Sequence, residues 1–146
     1  MHEVLGQGGF GTVYRADLIG EDGFQKEVAL KLLTRAGPDR AQLTERLRDE
    51  ARMLGLVRHR ALVGVDALIR LDGHPCIVME RVDGVSLDDL LEHTGPLPPG
   101  AALEVAAEIA AALHAAWHTE VDGRPLRLLH RDVKPANVLL GPTGDM

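Results

Sequence analysis

The segment His130-Arg131-Asp132-Val133-Lys134-Pro135-Ala136-Asn137 decides the fold, because it brings chemically different side chains together on one short stretch. Asp132 offers an acid or base, Lys134 a cation and Asn137 a neutral oxygen ligand for a metal ion. His130 and Arg131 are interpreted as an anchoring pair. On its own the segment could be an ordinary polar loop, so its meaning depends on the rest of the sequence.

A glycine-rich stretch near the amino end, Leu5-Gly6-Gln7-Gly8-Gly9-Phe10-Gly11-Thr12-Val13, is the second informative segment. Glycine loops bind phosphate because backbone N–H groups approach a ligand closely where no side chain intervenes. A dinucleotide-binding turn has similar glycines, but it leads from a strand directly into a helix. Here the residues from Thr12 to Ala16 continue as a strand, which favours a phosphate-binding loop between two strands.

A third segment, Val28-Ala29-Leu30-Lys31, lies on a strand predicted from Glu27 to Leu33. A helix is predicted from Pro38 to about Val57, and Glu50 falls on its apolar stripe. A carboxylate on an inward face is costly unless a cation meets it. We therefore predict an ion pair between Glu50 and Lys31.

In this order, the three segments resemble the motif set of protein kinases, G-x-G-x-x-G-x-V, V-A-I-K and H-R-D-x-x-x-x-N. The residues within these motifs are most similar to those of the eukaryotic-like serine/threonine kinases of bacteria. The resemblance implies an α+β, protein-kinase-like two-lobed fold. Residues 1–82 would form the amino-terminal lobe and hinge, with an antiparallel sheet plus one helix. Residues 83–146 would form the start of the helical carboxy-terminal lobe, through the catalytic loop.

The resemblance also implies a chemistry, with ATP and Mg²⁺ as cofactors and a serine or threonine hydroxyl of a protein as substrate. Asp132 would accept or orient the proton of that hydroxyl, and Lys134 would neutralise the γ-phosphate. Asn137 would bind Mg²⁺ through its amide oxygen. Lys31 would contact the α- and β-phosphates and pair with Glu50.

The remaining nucleotide-binding residues are also implied by the resemblance. Met79 would be the gatekeeper beside the adenine, and the main chain of Glu80 and Val82 would read the adenine edge. Phe10 would cover the tip of the glycine loop. The full predicted set, apart from Lys31, is Leu5, Gly6, Gly8, Gly11, Val13, Ala29, Met79, Glu80, Val82 and Leu139.

Turn and helix signals organise the remainder of the chain. Asp22-Gly23, Asp72-Gly73 and Asp122-Gly123 predict turns, the last with no assignable role. Ser86 and Asp89 resemble a capping box for a short helix that ends at Gly95. A long alanine-rich helix follows, and its periodicity predicts one packed face of Ala102, Ala106, Ile109, Leu113 and Trp117.

Composition limits the classes of protein that are possible. The net charge of -6 argues against a nucleic-acid-binding surface, which would normally be basic. The longest apolar region, from Ala101 to Trp117, is interrupted by Glu104 and Glu108, so we expect no membrane segment. No secretion leader is evident, and a cytoplasmic location is the default expectation. Cys76 lies in an apolar run and is expected to be buried on a strand.

Alternatives remain at this point. The printed sequence contains no Asp-Phe-Gly, whose aspartate is the principal magnesium ligand of the family, so we expect a fragment whose isolated chain is inactive. A catalytically inactive nucleotide-binding or scaffolding fragment is the alternative function. Small-molecule phosphotransferases of the aminoglycoside-kinase type share the architecture, but they usually carry glycine at the position of Arg131 and lack the Lys134-Pro135 pair. His114 and His118 could bind zinc, but no third ligand is evident, and we expect no metal site there.

Overall fold

The computed structural model describes residues 1–8, 11–32, 45, 48–49 and 51–142. The chain divides into two compact units, which are described one at a time. Unit 1 comprises Met1–Leu56 and Val63–Arg81, and unit 2 comprises Val57–Leu62 and Val82–Met146. Within the described ranges, no helix combines the length and apolar character needed to cross a membrane.

Unit 1 contains a five-stranded antiparallel sheet with the strand order β1-β2-β3-β5-β4. The strands are β1 (Val4–Gly8), β2 (Gly11–Ile19), β3 (Gln25–Leu32), β4 (Val65–Leu71) and β5 (His74–Glu80). Residues 51–54 are helical and are called α1. The predicted combination of an antiparallel sheet and a helix is confirmed.

The core of unit 1 lies on one face of this sheet. Alternation along a strand puts every second side chain on the same face, and the register aligns Ala16 with Val28 and Leu30 with Val78 across neighbouring strands. Cys76 and Val78 are fully buried in this cluster, which confirms the expectation for the cysteine. Burial also raises the pKa of the Cys76 thiol.

The three predicted Asp-Gly turns are confirmed. Asp72 (φ 49°) and Gly73 (φ 80°) connect Leu71 to His74, which are paired residues of β4 and β5. Two consecutive positive φ angles define a type I′ hairpin turn, which aspartate and glycine adopt at low cost. Asp22 and Asp122 also have positive φ and precede glycines with positive φ. The last pair forms a small hairpin between β7 (Glu120–Val121) and β8 (Arg124–Pro125).

Some boundaries differ from the sequence prediction. The sequence predicts the strands of the second hairpin at 62–70 and 75–82, whereas β4 and β5 cover Val65–Leu71 and His74–Glu80. The predicted helix extends to about Val57, but helical structure ends at residue 54 and Gly55 follows in a turn. Glycine is a common residue just after a helix, so Gly55 was the signal for the earlier end.

Unit 2 combines two helices with short strands. Ser86 caps α2 (Leu87–Thr94) by accepting a hydrogen bond from the Asp89 amide at 3.0 Å, and the helix ends at Gly95 as predicted. Helix α3 (Pro99–His118) begins at a proline, which is well tolerated in a first turn. The strands β6 (Val85–Ser86) and β9 (Leu139–Leu140) pair in antiparallel register.

The predicted packed face of α3 is wrong at three of its five residues, because Ala102, Ala106 and Trp117 are exposed. Ile109 and Leu113 are partly buried, as predicted in part, and the buried residues of the helix are Ala112 and Ala116. The true stripe is therefore rotated from the prediction by about one residue. Because alanine occupies both faces of this helix, apolar periodicity could not identify the packed one.

Candidate active site

The backbone of the segment from His130 to Asn137 contains a residue with positive φ and a short 3-10 turn. Arg131 has φ 62°, a left-handed conformation that costs most residues other than glycine free energy. Pro135 then begins a 3-10 turn, Pro135–Asn137, which is closed by the amide of Asn137 donating to the Lys134 carbonyl at 2.9 Å. The His130 ring nitrogen Nδ1 accepts a hydrogen bond from the Asp132 amide at 3.3 Å.

These turns bring together two of the predicted catalytic side chains, Asp132 and Lys134, and the predicted metal ligand Asn137. Lys134 Nζ lies 3.0 Å from Asp132 Oδ2. Asn137 Nδ2 donates to the same carboxylate oxygen at 2.9 Å and to the Asp132 carbonyl at 2.8 Å. One oxygen of the Asp132 carboxylate, Oδ2, is therefore contacted by both the Lys134 ammonium and the Asn137 amide.

The electrostatics of this cluster favour the ionised form of the carboxylate. The hydrogen bond from Lys134 lowers the pKa of Asp132 below its ordinary value, and the hydrogen bond from Asn137 acts in the same direction. Desolvation opposes them, but its effect is smaller. Asp132 is thus a carboxylate at neutral pH, and it can accept a proton or orient a donor.

The cluster is tied to the rest of unit 2 immediately after Asn137. The Leu87 amide, at the start of α2, donates to the Val138 carbonyl at 2.8 Å. Leu139 then pairs with Ser86 in the β6–β9 ladder. Leu139, a predicted nucleotide-binding residue, therefore lies on a strand that is joined to the capped end of α2.

Within unit 1, the register places the predicted nucleotide-binding residues of the central strands side by side. Val13 on β2 pairs with Lys31 on β3, and Ala29 on β3 pairs with Met79 on β5. Ala29 is buried, whereas Lys31 is partly exposed. The Glu80 amide donates to the Gly64 carbonyl at 2.8 Å, so that N–H group is committed within the unit.

The predicted glycine loop lies between β1 and β2. Gly8 and Gly11 form the last pair of this ladder, and Gly11 has φ 145°, a conformation that favours glycine. Leu5 lies at a register irregularity of β1 between Val4 and Gly6. A Cβ atom on residue 6 would meet no atom within 4 Å, so the space on that side of Gly6 is open.

Two predicted side chains lie outside the described residues, namely Glu50 and Phe10. The Lys31–Glu50 ion pair therefore stays a prediction. The roles of the other residues, including Val82 directly after unit 1, also stay predictions, because positions alone do not assign them.

The oxygen donors of the cluster can be set against what Mg²⁺ requires. The ion prefers oxygen ligands in octahedral geometry and commonly keeps waters and substrate phosphates in its coordination shell. Both hydrogen bonds of Asn137 use its amide nitrogen, which leaves Oδ1 directed away from Asp132. Residue 137 fits one magnesium ligand. Across the described ranges, no group of three or more His, Cys, Asp or Glu residues could hold a metal ion.

Sequence reasoning missed one feature of unit 1. Glu27, on β3, bridges Arg15 and Arg81 with its two carboxylate oxygens. No motif includes these residues, so the sequence patterns gave their charges no role.

Comparison with known proteins identifies the family. The protein kinase domain model matches residues 1–146. The serine/threonine-protein kinase pkn2 of Myxococcus xanthus is 38% identical over 136 residues, which cover 93% of this chain and 15% of that protein. PknL of Mycobacterium tuberculosis is 36% identical over 142 residues, covering 97% of this chain and 33% of that protein.

The fold comparison agrees. The crystal structure of the Mycobacterium tuberculosis PknI kinase domain matches with a TM-score of 0.75 and 30% identity, covering 98% of this chain and 54% of that one. The chain therefore belongs to the protein kinase domain family, and both of these curated relatives are named serine/threonine-protein kinases. It spans a third or less of these curated relatives and about half of the solved kinase domain.

Proposed function

We propose that residues 1–146 contribute ATP-handling and catalytic residues to a kinase that transfers the γ-phosphate of ATP to serine or threonine hydroxyls of proteins. The observation that carries this proposal is the cluster of Asp132, Lys134 and Asn137, in which one carboxylate oxygen meets both an ammonium and an amide. The names of the curated relatives support the hydroxyl specificity.

Asp132 is proposed to orient the attacking hydroxyl. Lys134 and Asn137 both contact Oδ2, so Oδ1 is assigned as the oxygen that accepts the hydroxyl hydrogen bond. The lowered pKa keeps the carboxylate ionised, which this role requires. Phosphoryl transfer depends on positioning and charge neutralisation more than on covalent chemistry, so a fixed carboxylate suits it.

Lys134 is proposed to hold the transferred phosphoryl group. Its ammonium is half exposed, with 52% of the side chain accessible, and it can offer further N–H donors while it stays beside Asp132. A positive charge here would offset the negative charge of the γ-phosphate oxygens. Asn137 would hold a Mg²⁺ ion through its amide oxygen, and the charge of that ion would supply additional neutralisation.

The nucleotide is proposed to bind through residues of β1, β2, β3 and β5, through Val82 after β5 and through Leu139 on β9. Lys31 would contact the α- and β-phosphates with Glu50 as its partner, and the glycine loop would offer backbone N–H groups. Val13, Ala29, Met79 and Leu139 would contact the adenine, and the main chain of Glu80 and Val82 would read its edge. The use of the Glu80 amide within unit 1 leaves the carbonyl as its candidate group.

The proposal also implies where the protein works. ATP is a cytoplasmic metabolite, so we propose that these residues face the cytoplasm, where a protein with an accessible serine or threonine would be the substrate. The net charge of -6 gives no support to a nucleic-acid partner.

The test uses the full-length gene product that carries residues 1–146, incubated with labelled ATP, Mg²⁺ and a generic protein substrate. We expect phosphoserine or phosphothreonine in the product, and Lys31→Met should abolish it. Lys26→Met is the matched control, because Lys26 lies on the same strand and pairs instead with Asp66 at 2.6 Å. ATP binding without any transfer would favour the inactive nucleotide-binding alternative, and equal effects of both substitutions would refute the role of Lys31.

A further inference from the structure

A line of alternating charges crosses unit 1. Arg15 on β2 donates from Nη1 to Glu3 Oε1 at 3.2 Å and from Nε to Glu27 Oε2 at 2.7 Å. The other oxygen of Glu27, Oε1, accepts from Nε of Arg81. Glu27 thus divides its two carboxylate oxygens between two guanidinium groups.

Arg81, at one end of this line of charges, lies where the chain leaves strand β5. The last register pair of β3 and β5 is Val28 with Glu80, and Arg81 follows directly. Unit 1 ends at Arg81. Glu27 therefore holds the residue at which the chain leaves the sheet.

The Glu27–Arg81 ion pair is better shielded from solvent than the Glu3–Arg15 ion pair. The side chains of Arg81 and Glu27 are 23% and 33% exposed, whereas those of Arg15 and Glu3 are 40% and 60% exposed. Ion pairs gain strength as solvent is excluded, and fully exposed pairs contribute little. The Glu27–Arg81 contact should consequently restrain its segment, while the Glu3–Arg15 contact should not.

We propose that Glu27 is a positioning residue for the nucleotide, because its ion pair with Arg81 fixes the main chain between Glu80 and Val82. This inference rests on the proposed function, in which those main-chain groups read the adenine edge. Glu27 acts through Arg81 and does not contact ATP. Hydrogen bonds weaken steeply when distance and angle leave a narrow range, so a restrained segment binds adenine better than a loose one.

The expected signature is a change in binding without a change in turnover. Adenine contacts are equal in the ground state and the transition state, so loosening them raises the KM for ATP and leaves kcat unchanged. A partly exposed ion pair supports an increase in the ATP dissociation constant of about fivefold.

The experiment uses the full-length gene product and the substitution Glu27→Gln, which keeps the size of the side chain and removes its charge. Glu3→Gln is the matched control, since it removes a carboxylate that also pairs with Arg15 but is not bonded to Arg81. The measurements are the dissociation constant for ATP by calorimetry, kcat, and amide hydrogen exchange over residues 80–82.

We expect Glu27→Gln to weaken ATP binding about fivefold and to speed exchange at 80–82, with kcat unchanged and Glu3→Gln like the wild type. Equal behaviour of the two variants would overturn the proposal. The exchange measurement needs no nucleotide, so it separates failure of this inference from failure of ATP binding by the wild type.

A second variant tests the route of the effect and covers the case in which Glu27→Gln unfolds. If Glu27 acts through Arg81, then Arg81→Gln alone should weaken ATP binding, and adding Glu27→Gln should weaken it little further. Full additivity of the two effects would contradict the proposal, as would unchanged ATP binding in Arg81→Gln.

Discussion

Replacing Gly84 with alanine tests how the segment that follows Asn137 is held beside the start of α2. A Cβ atom at residue 84 would lie 2.3 Å from the Leu140 carbonyl oxygen and 2.8 Å from its carbon. Both are backbone atoms, so no side chain can rotate to make room. Strands β6 and β9 would have to separate by about 1 Å to reach an ordinary contact distance.

The structure gives a magnitude for this separation. The two strands share only the pairs Val85–Leu140 and Ser86–Leu139. A shift of about 1 Å takes a normal backbone hydrogen bond beyond its useful range, and each such bond contributes about 0.5–1.5 kcal/mol. Loss of the ladder should therefore reduce the free energy of unfolding by about 2 kcal/mol, which is similar to the usual cost of overpacking.

Thermal unfolding and amide hydrogen exchange measure the result. The expected change is a decrease in Tm of roughly 5 °C, with faster exchange over residues 138–141. Gly100→Ala is the control, because a Cβ atom there meets nothing within 4 Å and alanine favours a helix. If Gly84→Ala melts like the wild type and leaves exchange at 138–141 unchanged, the close approach to Leu140 is wrong.

Three further predictions concern single contacts. Val78 is only 1% exposed, so Val78→Ala should lower the free energy of unfolding by about 1–3 kcal/mol in a urea titration. A loss below about 0.5 kcal/mol would contradict the place of Val78 in the core. Lys134→Gln should raise the pKa of Asp132, because the hydrogen bond from Lys134 is the largest cause of the lowered pKa. An NMR pH titration of Asp132 should show this increase. The acidic limb of the pH–rate profile should move to higher pH for the same reason. An unchanged Asp132 titration would refute the contact. Asp66→Asn should change the free energy of unfolding by less than about 1 kcal/mol, since its partner Lys26 is 44% exposed and solvent screens their ion pair. A larger loss in the same urea titration would show that solvent screens this ion pair less than we infer.

Local features of the fold were predictable because their cause is local. Two consecutive residues that tolerate positive φ specify a hairpin turn, so Asp72-Gly73 and Asp122-Gly123 could be placed from the sequence. Ser86 could be identified as a helix cap for the same reason, because its partner Asp89 is in the first turn.

Features that depend on distant neighbours were not predictable in this way. The contact between Gly84 and Leu140 joins residues far apart in sequence, and a glycine after an aspartate indicates only a boundary. The packed face of α3 was misplaced because Ala102 and Ala112 are equally apolar, and only tertiary contacts distinguish them.

Among the side-chain contacts, too, those between residues close in sequence could be predicted, and those that depend on strand pairing could not. Asp132, Lys134 and Asn137 lie close together in sequence, so one tight turn and a short 3-10 segment are enough to bring them into contact. Their spacing could therefore indicate the cluster before its geometry was known. The ion pair of Glu27 with Arg81 needs the register of β3 against β5, which no local pattern specifies.

Phosphate transfer by Asp132→Asn tests the central claim most directly. In the full-length gene product, this substitution should lower kcat about a hundredfold or more, with little change in ATP affinity, because it removes the group proposed to orient the hydroxyl. Asp88→Asn, an exposed carboxylate in the first turn of α2, should keep wild-type turnover. Wild-type turnover in Asp132→Asn would contradict the account.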